Sequence, residues 1–356
     1  MKPTRIEKVI NNMLAMGLEQ IIVSDPDSIY YLCGIGYDAG ERLLALYLNS
    51  HGDVVLFNNR MFPQAEQAGL RILAYEDVDD YMGLVAAAVR PGPLGVDKFW
   101  RAKFLLPLLE KRPDLRACLG SPAVDQARML KDGEEIRLMR QASLLNDRSM
   151  AEAVQHLGAG FSERELGAFI SRCQVKLGAD KEIEQLICYG ANGSEPHHAS
   201  GNALLQPGEG AVIDIYAPVN RYCCDMTRTV FWKSVSPEQR RVYEIVRQAN
   251  EAGRAAVRPG IPISEIDRIT RKVIEDAGYG PYFIHRTGHG IGLTLHEPPD
   301  CSSVSQEILQ PGMVFSVEPG IYLPGQFGVR VEDLVAVTED GAETLNHFDR
   351  ELLIVP

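Results

Sequence analysis

Four carboxylates and a histidine carry the strongest chemical signal in this sequence. Residues 211–217 read as an apolar strand with one charge inside it, Asp214; Pro218-Val219-Asn220-Arg221 reads as a turn, and 222–231 as the return strand carrying Asp225. A turn centred between Val219 and Asn220 predicts that Asp214 faces Asp225 directly, with Cβ atoms about 5 Å apart. The pattern recurs downstream. Residues 314–322 form a strand with Glu318 inside it, Pro324-Gly325-Gln326 is the turn, and 328–337 returns with Glu332. Centred on Gly325, that hairpin places Glu318 opposite Glu332. Like charges opposite one another destabilise a sheet, and each ion inside an apolar strand costs several kcal/mol of desolvation by order of magnitude. One such pair is commonly a surface feature tied to Lys or Arg. Here Val212, Ile213, Ile215 and Val317 mark the strands as buried, and two pairs at matching positions call for cations.

Five of the eight histidines fall between 197 and 296: His197, His198, His285, His289 and His296. His289 sits in Thr287-Gly288-His289-Gly290-Ile291-Gly292, where the flanking glycines let backbones approach closely. His296 opens His296-Glu297-Pro298-Pro299. A lone core histidine is usually structural, but this cluster lies beside four preplaced acids. Asp214, Asp225, Glu318, Glu332 and one imidazole make an oxygen-rich site for two divalent metals. Mn is favoured, with Fe or Co next, over a thiolate-type zinc site. Two ions about 3.5–4 Å apart share a bridging water and lower its pKa, which is hydrolytic chemistry. Arg330, two residues before Glu332, shares its strand face and can orient a ligand carboxylate.

The surrounding elements repeat as the acids do. Asp132 with Glu135, Ser162 with Glu165, and Ser236 with Gln239 are capping boxes, the last with Pro237 at the first helical position. Ser264 is expected to open a further helix, 102 residues after Ser162. Residues 131–232 and 236–337 therefore read as a weak internal duplication, each half two helices and a small antiparallel sheet. Residues 1–125 read as a separate small α/β domain: a helix from Ile6 to Met16, a strand Gln20-Ile21-Ile22-Val23, a hairpin across Asn49-Ser50-His51-Gly52-Asp53, a strand Leu94-Gly95-Val96-Asp97 and a helix from Arg101. It holds no phosphate-loop or metal-site spacing, and His51 is a solvated turn residue. The expected architecture is thus α/β with two domains, 1–125 and 131–356.

The 356 residues carry 36 Lys plus Arg against 48 Asp plus Glu, a net charge of −12, which argues against nucleic-acid and anionic-membrane partners. Seven scattered cysteines read as reduced thiols of a cytoplasmic protein. The stretch from Met1 to Met13 lacks the apolar core of a signal peptide, and no apolar run approaches the ~18 residues of a membrane span.

Several motifs together resemble the aminopeptidase P, prolidase and methionine aminopeptidase family. They are Asp214 with Asp225-Met226-Thr227-Arg228-Thr229, His285 through Gly292, His296-Glu297-Pro298-Pro299, Glu318-Pro319-Gly320-Ile321-Tyr322 and Gly328-Val329-Arg330-Val331-Glu332-Asp333. The resemblance spans about 131–340 and implies a duplicated pita-bread α+β catalytic domain around a dinuclear metal site. The N-terminal part is similar to the creatinase-type α/β domain of the proline-directed members, with Tyr30-Tyr31-Leu32-Cys33-Gly34 taken as their strand-end motif. By this resemblance Asp214, Asp225, His289, Glu318 and Glu332 ligate two metal ions, Mn or else Co, Fe or Zn, with Asp225 and Glu332 bridging. Glu318 takes the proton of the attacking water, His296 contacts the substrate carbonyl or the nitrogen it protects, and His197 contacts substrate. His285 is a pocket wall and His198 a neighbour. A homodimer is the family's expectation.

Two departures bear on substrate choice. The family usually has a small residue two positions after the first Asp; here it is Tyr216, which would narrow the pocket. Some prolidases have an Arg after His-Glu-Pro-Pro that grips a dipeptide's carboxylate; here it is Asp300, which weighs against a dipeptidase and leaves longer or unusual substrates open. The expectation is a dinuclear-metal peptidase that cleaves the Xaa-Pro bond of dipeptides or peptide N-termini with a metal-bridging hydroxide. A hydrolase or lyase of the same fold acting on a small non-peptide molecule is the alternative. A binding-only pseudoenzyme would be expected to lack ligands, and all five are present.

Overall fold

The computed structural model describes residues 2–356, the side chains of Gln67 and Ala68 apart; Met1, part of the N-terminal stretch read above, lies outside the described residues. The chain divides into two compact units, 1–128 and 129–356.

In the first unit the elements are α1 (Pro3–Ala15), β1 (Gln20–Val23), α2 (Pro26–Cys33), β2 (Ala45–Asn49), β3 (Val54–Asn59), β4 (Arg71–Tyr75), α3 (Tyr81–Ala88), β5 (Gly92–Val96), α4 (Ala102–Lys111), β6 (Leu115–Leu119) and α5 (Ser121–Met129). The six strands form one mixed sheet in the order β4-β3-β2-β1-β5-β6. Ile22, Tyr47, Phe57, Val85 and Leu108 anchor its core. Tyr30 to Gly34 is not a strand end. The Asp25 side chain caps Ser28, Pro26 occupies the first turn, and Gly34 ends α2 at φ 77°, so local capping chemistry makes this segment helical.

The second unit contains α6 (Gly133–His156), α7 (Glu163–Leu177), β7 (Leu186–Tyr189), β8 (Gly210–Val219), β9 (Tyr222–Trp232), α8 (Pro237–Ala256), α9 (Ile263–Asp276), β10 (Gly288–Gly290), β11 (Glu297–Cys301), β12 (Val314–Val317), β13 (Gly320–Leu323), β14 (Phe327–Arg330), β15 (Asp333–Val337), β16 (Ala342–Thr344) and β17 (Leu353–Val355). Helix pair followed by sheet occurs twice, as the spacing predicts. The three capping boxes form at Asp132, Ser162 and Ser236. Ser264 does not open α9. Its cap is Pro262, whose ring has no capping atom, and the Ile263 N–H donates instead to the Glu307 carbonyl at 2.9 Å. Isolated bridges Ser162↔Leu204 and Pro262↔Ile308 stand at corresponding places in the two halves.

The first hairpin has a different register from the expected one. Asp214 pairs with Thr227 and Asp225 with Tyr216. Pro218 and Val219 belong to β8, and the turn is the two residues Asn220 and Arg221, at φ 49° and 70°. Successive positive φ values make a hairpin turn that matches strand twist. The Asp180 carboxylate accepts both turn N–H groups, at 2.9 and 2.6 Å. In the second hairpin the register is the expected one, yet the strands break. Val317 pairs with Asp333 and Gly320 with Arg330, and Glu318 and Glu332 lie in the gap between these ladders.

Candidate active site

Register and strand breaks together aim the acids. Asp214 and Tyr216 alternate onto one face of β8, and their cross-strand partners Thr227 and Asp225 onto the same face of β9. From the other half, β10 supplies His289. A Cβ at Gly288 would overlap the Ser316 carbonyl, and one at Gly290 the backbone of Pro298, so only glycine lets β10 sit this close. The Ser316 hydroxyl accepts the His289 N–H at 3.0 Å and donates to Glu318 at 3.1 Å.

Asp225, His289 and Glu332 converge, with one ligand atom from each within 4.8 Å of the others. They are 5%, 5% and 2% exposed. His289 Nε2 lies 3.7 Å from Asp225 and 3.4 Å from Glu318. Asp214 lines the same cleft, held by Arg330 Nη2 at 2.7 Å. The cleft has a volume of about 440 Å³, and every site residue named from the sequence lines it: His197, His285, His296, Tyr216 and Arg330 besides the five metal-type ligands. His198 also reaches it. The rings of His289 and His296 meet edge-on at 4.1 Å.

The electrostatics suit a cation site. Burial and the adjacent Glu332 push the Asp225 carboxyl well above the ordinary carboxylate range. Burial, with Glu318 and Asp214 close by, does the same to Glu332, and burial drives Glu318 up to about 7. Burial and then His296 hold His289 down to about 3, leaving a neutral imidazole with ligand capacity. Carboxyls that keep protons because they are buried and crowd one another are the groups a divalent cation deprotonates. Two buried carboxyl side chains and one imidazole at this spacing, with the half-buried Glu318 beside them, therefore fit a divalent metal.

Sequence reasoning missed the groups that brace these residues. Thr227 donates to Glu332 at 2.7 Å and accepts from Arg330 Nε at 3.1 Å. Tyr322 joins Arg330, at 3.0 Å, to His285, at 2.9 Å. Arg286 lines the cleft and pairs with Asp300. Thr227 was findable, since it follows Asp225 by two residues on a strand and must share its face.

Comparison with known proteins agrees with this geometry. The model for metallopeptidase family M24 matches residues 137–339, and that for the creatinase/prolidase N-terminal domain matches 5–130. The chain is a metallopeptidase with a creatinase-type N-terminal domain and a pita-bread catalytic domain. It belongs to metallopeptidase family M24. It is 33% identical to a putative dipeptidase, YkvY, of Bacillus subtilis strain 168, over 99% of each chain. The prolidase from Thermococcus sibiricus is 33% identical, with a TM-score of 0.95 over 100% of this chain and 99% of that one. The dipeptidase PepE from Mycobacterium ulcerans is 33% identical, with a TM-score of 0.93 over 99% and 98%. Relatives bearing peptidase names do not favour the small-molecule alternative. Among the described residues, no helix is long and apolar enough to cross a membrane.

Proposed function

We propose that this metallopeptidase hydrolyses the bond between a residue and proline in small peptides, dipeptides above all. The observation that carries the reading is the convergence of Asp225, His289 and Glu332, with Asp214 and Glu318 lining the same cleft. These five residues would hold two divalent ions, Mn first by the chemistry of an oxygen-rich donor set. Such ions, when bound, supply Lewis acidity and a water of lowered pKa.

The chain's own groups account for the rest. Glu318 takes a proton from the attacking water, the water oxygen bonds to the scissile carbonyl carbon, and the proton passes to the prolyl nitrogen as the C–N bond breaks. His296, against His289, and His197 face the reacting carbonyl. A bond to proline has no amide N–H, so recognition rests on ring shape. Tyr216, opposite Asp225, narrows the cleft for that purpose. Arg330 is spent on Asp214, Thr227 and Tyr322. Arg286, braced by Asp300, is the guanidinium on the cleft wall that meets a free substrate carboxylate. Asp300 thus stands where some prolidases have an arginine and pairs with Arg286 instead. The names of the dipeptidase and prolidase relatives support the dipeptide preference. The reading includes a cytoplasmic homodimer, from the reduced thiols and the family resemblance; light scattering on the purified protein tests the dimer.

The test is hydrolysis of an Xaa-Pro dipeptide, an Xaa-Pro-Yaa tripeptide and the matching Xaa-Ala peptides, with Mn, Co, Zn or chelator added. Metal-dependent cleavage confined to proline compounds, faster for the dipeptide, is expected. Equal cleavage of the Xaa-Ala set by metal-loaded protein would refute proline specificity.

A further inference from the structure

Glu163 opens α7 and is completely buried, yet it lines no part of the cleft. Among the described residues its ion-pair partner is the His198 imidazole, 3.8 Å away. Burying a carboxylate is costly unless its lone pairs are filled by donors. Here they are filled by one loop. Oε1 accepts the Tyr189 N–H at 2.7 Å and the Asn192 side-chain amide at 2.8 Å. Oε2 accepts the Gly201 N–H at 2.8 Å. Tyr189 ends β7, so the carboxylate ties together both ends of 189–201, from a helix N-terminus whose dipole favours the charge. Within that span Pro196, His197, His198 and Ala199 line the cleft. The same loop is leashed on its far side, where the Pro196 carbonyl accepts from Arg330 at 3.3 Å.

The chemistry of the acceptor is specific. Both oxygens must accept, so a carboxylate fits and an amide does not: Gln would present an N–H to one set of donors. The two histidines of the loop divide accordingly. His198 turns back between Glu163 and Glu195, 3.3 Å from the latter. His197 is exposed and lines the cleft together with His285 and His296.

We propose that Glu163 is a positioning residue for His197, fixing both ends of the loop that presents this histidine to the substrate. The inference rests on the reading of His197 as a substrate-contacting group. A displacement of order 1 Å at such a group costs ~100-fold in rate.

The experiment is a double-mutant cycle on the metal-loaded enzyme with an Xaa-Pro dipeptide, using Glu163→Gln, His197→Ala and both together, with bound metal measured in each. Glu163→Gln is expected to lower kcat/KM about 10- to 100-fold with metal content unchanged. In the His197→Ala background it should have little further effect. Asn192→Ala, which removes one arm of the clamp, is carried through the same cycle and decides the matter if Glu163→Gln fails to fold. His197→Ala turning over at the wild-type rate overturns both the histidine's role and the anchor. An impaired His197→Ala, with the Glu163 and Asn192 variants either unimpaired or multiplying its loss in full, overturns the anchor alone.

Discussion

In the first half of the catalytic unit, β8 and β9 form one ladder from Gly210↔Phe231 to Val219↔Tyr222, with Asp214 and Asp225 inside it. In the second half the corresponding ladder stops at the acids and resumes beyond them. Inside an unbroken ladder the neighbouring strand takes the backbone groups that face it, so register alone sets where an acid points. At the break the backbone is released to other partners. The Glu318 N–H donates to Thr287 at 2.8 Å, and the Glu332 N–H donates to Thr227, across the halves, at 3.1 Å. One hairpin is thus a continuous floor, and the other is docked onto it through Thr227, the residue opposite Asp214. Duplicated sequence has been put to two structural uses.

Removing an acid from either hairpin should have the largest effect. Asp225→Asn and Glu332→Gln are expected to lower kcat/KM more than about a thousandfold, the scale of several kcal/mol of lost Lewis-acid stabilisation. Bound metal, measured by elemental analysis, should fall with it, and near-normal turnover in either would sink the shared site. Thr227→Val tests the docking itself. It keeps shape and the backbone bond to the Glu332 N–H but removes the hydroxyl's bonds to the Glu332 carboxylate and Arg330, and losses of about 10- to 100-fold in metal affinity or turnover are expected. Wild-type values would mean that the Thr227 hydroxyl plays no part in holding the second hairpin's acids.

The raised carboxyls give a sign to pH dependence. Glu318 in the folded chain sits at about 7, and Asp225 and Glu332 are also raised. An unfolded Glu titrates near ~4.3, so the folded, metal-free state binds more protons between these values and loses stability as pH rises through 7. Chelator-treated protein should therefore melt at a higher temperature at pH 5 than at pH 8. Added metal should reverse the trend, and a metal-free Tm that climbs with pH would contradict the crowded-acid picture. The smallest effect belongs to the first hairpin's turn. Asp180→Ala leaves two turn N–H groups without their carboxylate and should cost ~1–2 kcal/mol in urea unfolding, with little change in the second hairpin's metal contacts.

The expected register of the first hairpin was wrong by two residues, yet its acids were rightly placed together. Strand side chains alternate with period two, so a shift of two keeps every residue on its face. A shift of one would have buried the acids in the opposite layer. The misjudged turn came from Pro218, a turn residue by local preference that the structure places inside β8, where its missing N–H is no loss at an unbonded position of the ladder. Tyr30 to Gly34 was misread for the converse reason: a likeness of motif outweighed the Asp25 cap and Gly34 stop that the sequence displayed. The Glu163 clamp was invisible because its donors lie 26 to 38 residues away.

What the sequence determined by itself was the set of acids and histidines that line one cleft, their order, the duplicated helix-pair-and-sheet plan, and the capping boxes that delimit its helices. These depend on local periodicity and short-range hydrogen bonding, which residue types specify directly. What only the tertiary structure decided was which strand continues and which breaks, which histidine of the 197–198 pair is tied back to Glu163 and Glu195, and which side chains brace the acids. Those outcomes turn on backbone and lone-pair partners far apart in the chain, and every buried donor and acceptor must find one of them.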